Sequence, residues 1–150
     1  MPDDTLHAVF VRSAIARGHI RQIEVEAARA APNIIAVLTA DDTASDNISN
    51  MVWTGSPVRD DGLTGVESQR PLLSGSVIRH LGEPICMIVG RTRQSAMDAA
   101  ELINISCEAD EEVALTLGEL KGPMVWPEAP DNIASLHVLG DKVAVEAAID

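Results

Sequence analysis

The feature that most constrains the fold is a short, wholly apolar run at residues 85–89 (ICMIV), which directly follows a Gly-Glu-Pro turn at 82–84. Runs of this length between turn residues are typical of a strand that is buried on both faces. Residues 76–80 (SVIRH) precede the turn and favour another strand. The three segments together predict two strands that are joined tightly at 82–84.

A helix is predicted directly after the buried strand. Thr92 is a favourable N-cap, and the apolar residues that follow it recur at helical spacing. These apolar positions are Ala96, Met97, Ala100 and Ile103. Residues 103–108 then alternate between apolar and polar side chains, which predicts a half-buried strand.

The first part of the chain predicts the same mixture of strands and helix. Strands are favoured at 6–12 and 19–26, because both segments are rich in β-favouring apolar residues. A short helix is predicted at 26–31, where Pro32 ends it, and a buried strand follows at 34–38 (IIAVL). The fold class is therefore α+β, with an aliphatic core because only 2% of the residues are aromatic.

Residues 39–70 change character, because Asp, Ser, Asn, Thr and Gly dominate and little periodicity is visible. The segment is predicted to be a long irregular connection. Such loops are uncommon in compact domains, so a functional flap or docking surface is one interpretation and a mobile insertion is the other. Asp41, Asp42 and Asp46 lack the spacing of a calcium loop, and a solvated, helix-capping role is expected for them.

Beyond residue 110 the pattern loosens. An acidic stretch, a short helix candidate at 117–120 and prolines spaced through 123–130 predict an extended segment. A Gly-Asp pair at 140–141 precedes a further helix candidate at 142–149. The chain is therefore divided into a domain at 1–110 and an extended linker at 111–150.

Charge and composition exclude several classes of function. Asp and Glu outnumber Lys and Arg by 23 to 11, and the net charge of −12 argues against binding to nucleic acid or to an anionic membrane surface. No apolar stretch approaches the length of a membrane-spanning helix, and the acidic N-terminus does not resemble a secretory signal. We therefore expect a soluble, cytoplasmic protein with neither nucleic acid nor membrane as a partner.

No constellation of catalytic residues is recognisable. The sequence contains no Walker-type, GxGxxG, GxSxG, HExxH or CxxC motif, and the four histidines are scattered without helical pairing. Cys86 and Cys107 are predicted to be core residues, because each lies on the apolar side of a strand. The residues alone therefore predict no catalytic, cofactor-binding or metal-binding group.

The turn at 82–84, together with Arg79, is the predicted contact with a neighbouring domain. Gly82 permits close approach of another backbone, and Pro84 fixes the turn. Glu83 lies between two buried strands, where it either caps backbone amides of the turn or reaches toward a neighbouring domain.

Several short segments, each weak alone, occur in an order and spacing that covers nearly the whole chain. They are LHAVFVRS at 6–13, IIAVLTAD at 34–41, VIRHLGEPI at 77–85, TRQSAMDAAEL at 92–102, PEAPDNIA at 127–134 and Gly-Asp at 140–141. Together they resemble the N-terminal part of the large, molybdopterin-binding chain of the xanthine dehydrogenase and aldehyde oxidase family, which includes aerobic carbon monoxide dehydrogenase.

This resemblance implies the α/β-hammerhead fold and a structural role in packing against other domains of a molybdenum hydroxylase. The family's cofactor-cradling glycines and its general-base glutamate lie further along the large chain, so no catalytic residue is carried over. The parent enzyme is implied to use molybdenum with molybdopterin, in its cytosine dinucleotide form, and iron–sulfur clusters and FAD on partner chains or domains. The implied partners are the iron–sulfur and FAD subunits and the remainder of the large chain, toward which 111–150 leads.

The match departs from the family at 13–20, where a proline is missing and the Arg and His positions are exchanged. The substrate is therefore left open among carbon monoxide, an aldehyde, a purine and another heterocycle. A competing hypothesis is a free-standing, non-enzymatic binding or regulatory module of the same fold, because fold alone does not determine function. A small enzyme in its own right is the weakest hypothesis, since no group of residues supports it.

Overall fold

Two antiparallel sheets and four helices make up the described part of the chain, which in this computed structural model comprises residues 4–51, 57–113, 122–129 and 131–149. The strands are β1 (His7–Arg12), β2 (Gly18–Glu24), β3 (Ile34–Leu38), β4 (Val77–Ile78), β5 (Pro84–Gly90) and β6 (Asn104–Ala109). The helices are α1 (Glu26–Arg29), α2 (Ala40–Ser45), α3 (Arg93–Ala100) and α4 (Lys142–Ile149). The first sheet has the order β1-β5-β3 and the second has the order β4-β2-β6. The predicted α+β class is confirmed.

The core lies between the first sheet, helices α1 and α3, and the apolar face of the second sheet. Ile88 of the central strand β5 is fully buried and is flanked by Val9 of β1 and Val37 of β3. Ala96 and Ala99 of α3 are also fully buried, because small side chains let the helix lie close to the sheet. The predicted aliphatic core is therefore present, with α3 as its principal helix.

Helix α3 begins where the sequence predicts and ends slightly earlier. The Thr92 hydroxyl accepts a hydrogen bond from the Ser95 backbone N–H at 3.0 Å, which confirms Thr92 as the N-cap. The helix ends at Ala100, because the Leu102 N–H bonds back to Ala99 and the chain turns into β6. The predicted apolar face was partly wrong, since Met97 is 39% exposed.

The two strands predicted to be fully buried are only partly buried. In β5, the side chains of Ile85, Cys86 and Ile88 are buried, whereas Met87 and Val89 are half-buried. In β3 only Val37 is buried. Alternate side chains of a strand point to opposite faces, and along residues 86–89 only one face of β5 meets the core. Ile85 is buried as well, next to Cys86, where the pairing of β5 with β1 is irregular.

The segment at 39–70 is more ordered than predicted. It opens with helix α2, and Asp42 accepts the Thr39 backbone N–H at 2.8 Å, which confirms a capping role for this aspartate. A bridge between Met51 and Arg70 then closes the segment's base. The prediction of a wholly irregular connection was wrong, because a capping box is enough to start a helix of low apolar content.

Residues 131–138 of the predicted linker pack on this segment. Residues 57–66 and 131–138 run beside each other, and Leu136 exchanges backbone hydrogen bonds with Val58 and Asp60 at 2.9 and 3.0 Å. The division at residue 110 stays a prediction. The helix predicted at 142–149 is confirmed as α4, whereas the candidate at 117–120 lies outside the described residues. Among the described helices, none combines the length and the apolar character needed to cross a bilayer.

Candidate functional site

The turn between β4 and β5 is held by a buried carboxylate. The Glu83 side chain is 5% exposed, and its Oε2 accepts the backbone N–H of Arg79 at 2.5 Å. A buried carboxylate needs such a donor, because an unpaired charge in the interior is costly. Of the two roles considered for Glu83, the structure shows the capping of a backbone amide within the turn.

The same turn is tied to the corner between β1 and β2. The Gly82 N–H donates to the Ser13 carbonyl at 2.9 Å, and the Ser13 N–H donates to the Glu83 carbonyl at 2.8 Å. Arg12 adds a bond from its guanidinium to the Gly82 carbonyl at 3.0 Å. Gly82 has a φ of +79°, a left-handed conformation that favours glycine. Pro84 then begins β5, and its carbonyl accepts the Ser74 N–H.

Arg79 is oriented by contacts within the chain. Its guanidinium lies 4.2 Å from the centre of the Trp126 ring, and its Nη1 donates to the Val77 carbonyl at 3.3 Å. A guanidinium over an indole face is a favourable cation–π arrangement. The sequence analysis missed Trp126 as a partner, because nothing in the local pattern links residues this far apart.

The tip of the turn carries a residue that the sequence analysis did not single out. Leu81 is 67% exposed, although its neighbours Gly82 and Glu83 are bonded to the domain. An exposed leucine beside a rigid turn is a typical contact residue, although single exposed apolar residues are also common on surfaces. The adjacent 82–84 sequence, with its Gly and Pro, was the available signal.

A cleft of about 350 Å³ opens beside the turn. Two guanidinium groups and an imidazole line this cleft, those of Arg70, Arg79 and His80. The His80 Nδ1 lies 3.7 Å from the Glu83 carboxylate. A larger and more open cleft of about 550 Å³ lies between α2 and residues 69–77. Neither cleft brings together a nucleophile and a general base at hydrogen-bond distance among the described residues.

The two cysteines have different surroundings. Cys86 is fully buried as predicted, and burial raises the pKa of its thiol to about 11. Cys107 was predicted to be a core residue, and this was wrong because the residue is exposed. It does face the apolar side, opposite Ile20, but β6 is an edge strand beside an open cleft. The burial that remains raises the pKa of the Cys107 thiol.

The strongest electrostatic contacts lie away from the turn, around the buried guanidinium of Arg59. This side chain is 4% exposed and donates to Asp61 at 2.5 Å and to Asp131 at 2.9 Å. The hydrogen bond from Arg59 lowers the pKa of Asp131 to about 2 and lowers the pKa of Asp61 as well. Arg59 therefore fastens 57–66 to 131–138.

The described residues do not form a recognisable metal site. No group of three or more His, Cys, Asp or Glu side chains within the described ranges is arranged to bind a metal ion. The four histidines are not brought together with the cysteines, and Asp42 is engaged by the Thr39 backbone. We therefore assign no chemical step to these residues.

The comparisons with known proteins point to one family. Residues 1–111 match the family model described as the aldehyde oxidase and xanthine dehydrogenase a/b hammerhead domain. The nicotine 6-hydroxylase large subunit of Paenarthrobacter nicotinovorans is 30% identical over 142 residues, which cover 87% of this chain and 15% of the relative. The xanthine dehydrogenase molybdenum-binding subunit of Escherichia coli O157:H7 is 32% identical over 104 residues, which cover 68% of this chain and 13% of the relative.

Solved structures give the same fold. Quinoline 2-oxidoreductase from Pseudomonas putida 86 superimposes with a TM-score of 0.67 at 31% identity, over 79% of this chain and 14% of that chain. A Cu,Mo-CO dehydrogenase superimposes with a TM-score of 0.71 over 99% of this chain and 19% of that chain, and its 23% identity supports the fold alone. The chain therefore spans less than a fifth of the length of the proteins that it matches here.

Proposed function

Because the chain belongs to the aldehyde oxidase and xanthine dehydrogenase family, as its a/b hammerhead domain, we propose that it is a non-catalytic packing domain within a molybdenum hydroxylase large chain. The family match over residues 1–111 is the observation that carries this proposal. A further observation supports it: the matched relatives are several times longer than this chain. In this account the domain supplies shape and contacts, and the chemistry belongs to the remainder of the enzyme.

The chemistry of the complete enzyme follows from its relatives as a proposal. Their names describe molybdenum-binding subunits and hydroxylation or oxidation of small molecules such as nicotine, xanthine and quinoline. We propose that the complete enzyme is an oxidoreductase that uses molybdopterin cytosine dinucleotide, with iron–sulfur clusters and FAD on partner chains or domains. A cytoplasmic location is part of this proposal, and the free thiols of Cys86 and Cys107 support it.

The turn formed by Arg79, Gly82, Glu83 and Pro84 is proposed as a contact with the remainder of the enzyme. The buried Glu83 carboxylate and the Ser13 backbone bonds fix the turn, so that its tip is presented rigidly. Leu81 at the tip is two-thirds exposed and would enter an apolar pocket of the neighbouring domain.

The proposed function is tested by purifying the native protein with an antibody raised against this segment. We expect a polypeptide several times heavier than 15.9 kDa, with molybdenum detected by plasma mass spectrometry in proportion to the protein. A native polypeptide of about 15.9 kDa that carries no molybdenum would contradict the proposal and would favour the free-standing binding module.

The contact at the turn is tested separately in the full-length protein. Leu81→Asp should lower the midpoint of thermal inactivation, because it places a charge in an apolar contact. Ser106→Asp is the matched control, since Ser106 is exposed on a polar strand face. Equal midpoints for the two variants would argue against a contact at Leu81.

A further inference from the structure

The strand register places a continuous set of apolar side chains on one face of the first sheet. Phe10 of β1 and Leu38 of β3 both lie opposite Met87 of the central strand. In the next row, Ala8 and Ala36 both lie opposite Val89. Residues directly opposite each other in an antiparallel pair share a face. We call this set the outer face of the first sheet, and it consists of Ala8, Phe10, Ala36, Leu38, Met87 and Val89.

The outer face is separate from the hydrophobic core. The core residues of the same strands are the alternate ones, such as Val9, Val37 and Ile88. Phe10 is 42% exposed and Ala8 is also exposed, while the other members are half-buried. A solvated face of an antiparallel sheet normally carries polar side chains, and here both full rows across the three strands are apolar.

We propose that the outer face of the first sheet is a docking surface for the remainder of the same large chain. This inference rests on the proposed function, because it needs a polypeptide that continues beyond the matched part. Relatives of which this chain covers only 13–15% have ample additional chain to supply such a cover. The occupant is therefore an apolar segment of the same polypeptide.

The size of the face favours a tethered partner over a separate one. The face consists of two rows of side chains across three strands that are spaced about 4.8 Å apart. Its area is therefore far smaller than the roughly 800 Å² that each partner buries in a stable dissociable complex. A partner in the same polypeptide binds at a high effective concentration and needs less area. A second copy of this chain is disfavoured, because two chains that each carry a net charge of −12 repel each other.

Arg12 at the rim of the outer face requires a polar group on the segment that docks there. Arg12 lies 5.4 Å from the centre of the Phe10 ring and also donates to the Gly82 carbonyl. It thus connects the outer face to the turn at 82–84, whose tip carries the exposed Leu81. The occupant should therefore combine apolar side chains with a carboxylate or carbonyl oxygen that accepts the remaining donors of Arg12.

Thiol labelling in the full-length protein tests the proposal. Both variants are made in a Cys107→Ser background, because Cys107 is exposed and lies next to Ser106. Ala8→Cys introduces a thiol on the outer face of the first sheet, and Ser106→Cys introduces one on the polar face of the second sheet. Both residues are exposed and lie on edge strands. Labelling by a maleimide, read peptide by peptide in a mass spectrometer, should be about tenfold slower or more at Ala8→Cys, because thiol reactivity depends on exposure. Equal rates at the two sites would overturn the proposal.

A measurement without substitutions keeps the test valid if Ala8→Cys fails to fold. Phe10 and Met97 have similar exposure in the domain, 42% and 39%. Hydroxyl-radical footprinting of the native protein, corrected for the intrinsic reactivity of each side chain, should modify Met97 and leave Phe10 protected. Equal modification of the two residues would overturn the proposal.

The failure of the docking surface can be distinguished from the failure of the proposed function. A large molybdenum protein with a reactive Ala8→Cys would refute the docking surface alone, whereas a native chain of about 15.9 kDa would refute the proposed function and the docking surface together.

Discussion

The two sheets differ most on the faces that point away from the core. The outer face of the first sheet is apolar, whereas the corresponding face of the second sheet carries polar pairs: His19 opposite Glu108, Gln22 opposite Ser106 and Glu24 opposite Asn104. Arg21 forms an ion pair with Glu108, and Asn104 donates to Glu24 at 3.1 Å. The second sheet thus has a face suited to water, and the first sheet has a face suited to another protein surface.

This difference shows how a domain of this fold divides its surface. Polar cross-strand pairs on an exposed sheet contribute little to stability and maintain solubility. Apolar rows that stay in contact with water provide no hydrophobic stabilisation, and they provide it only when another surface buries them. In the proposed arrangement, the first sheet faces the remainder of the large chain and the second sheet faces solvent.

The largest expected effect distinguishes the inner faces of the two sheets. Ile88→Ala in the central strand of the first sheet should lower the free energy of unfolding of the 150-residue chain by about 2–5 kcal/mol, because it opens a cavity in the core. Ile23→Ala in the central strand of the second sheet should cost less, since Ile23 is only half-buried. Urea unfolding measures the free energy of unfolding of both variants. An equal loss would mean that Ile23 contributes as much to the core as Ile88 does.

The next effect concerns the carboxylate that holds the turn of the first sheet. Glu83→Ala should cost about 1–3 kcal/mol, because the Arg79 N–H loses its acceptor in a buried position. Glu24→Ala, on the polar face of the second sheet, should change stability by no more than about 0.5 kcal/mol. If thermal unfolding gave the same loss for both variants, the turn would not depend on its buried carboxylate.

A pH titration should report on the ion pairs of Arg59 with Asp61 and Asp131, which we call the Arg59 clamp and which belong to neither sheet. The pKa of Asp131 is lowered to about 2 in the folded chain, so its contribution to stability is complete above the usual pKa of 3.8 and is lost as the pH falls through about 2. In Asp131→Asn this loss should be absent. The check is the free energy of unfolding between pH 5 and pH 2; parallel curves for the two proteins would contradict the clamp.

The smallest effect is expected on the outer face of the first sheet in the isolated chain. Phe10→Ser should lower the free energy of unfolding by only about 0.5–1 kcal/mol, because Phe10 lies outside the core and loses its cross-strand contact with Met87. It should also raise the solubility limit, whereas Arg21→Ser should not. A loss of several kcal/mol for Phe10→Ser in urea unfolding would place Phe10 in the core instead.

Much of the fold was predictable, because hydrophobic periodicity and capping residues act locally. The alternation at 103–108 and the Thr92 cap led directly to β6 and α3. The apolar run at 85–89 correctly predicted a strand, but the prediction of full burial was wrong, because Met87 and Val89 lie on a face that the described residues leave half-buried. A sequence reports that a face is apolar, and it does not report whether the covering element lies in the same segment.

The candidate site was less predictable, because its contacts join distant residues. The turn residues Gly82 and Pro84 were visible as turn chemistry, and one of the two roles considered for Glu83 is the one observed. The stacking of Arg79 on Trp126 and the clamp of Arg59 on Asp131 join residues tens of positions apart. The exposure of Cys107 depends on the position of β6 at a sheet edge, which local alternation does not encode.

The most direct test of the central claim is a cryo-electron microscopy structure of the full-length native protein. We expect Phe10, 42% exposed in the domain, to be buried beneath a later part of the same polypeptide, while Ser106 and Arg21 on the second sheet stay in solvent. A structure in which the outer face of the first sheet remains open to solvent, with the rest of the chain packed elsewhere, would contradict it.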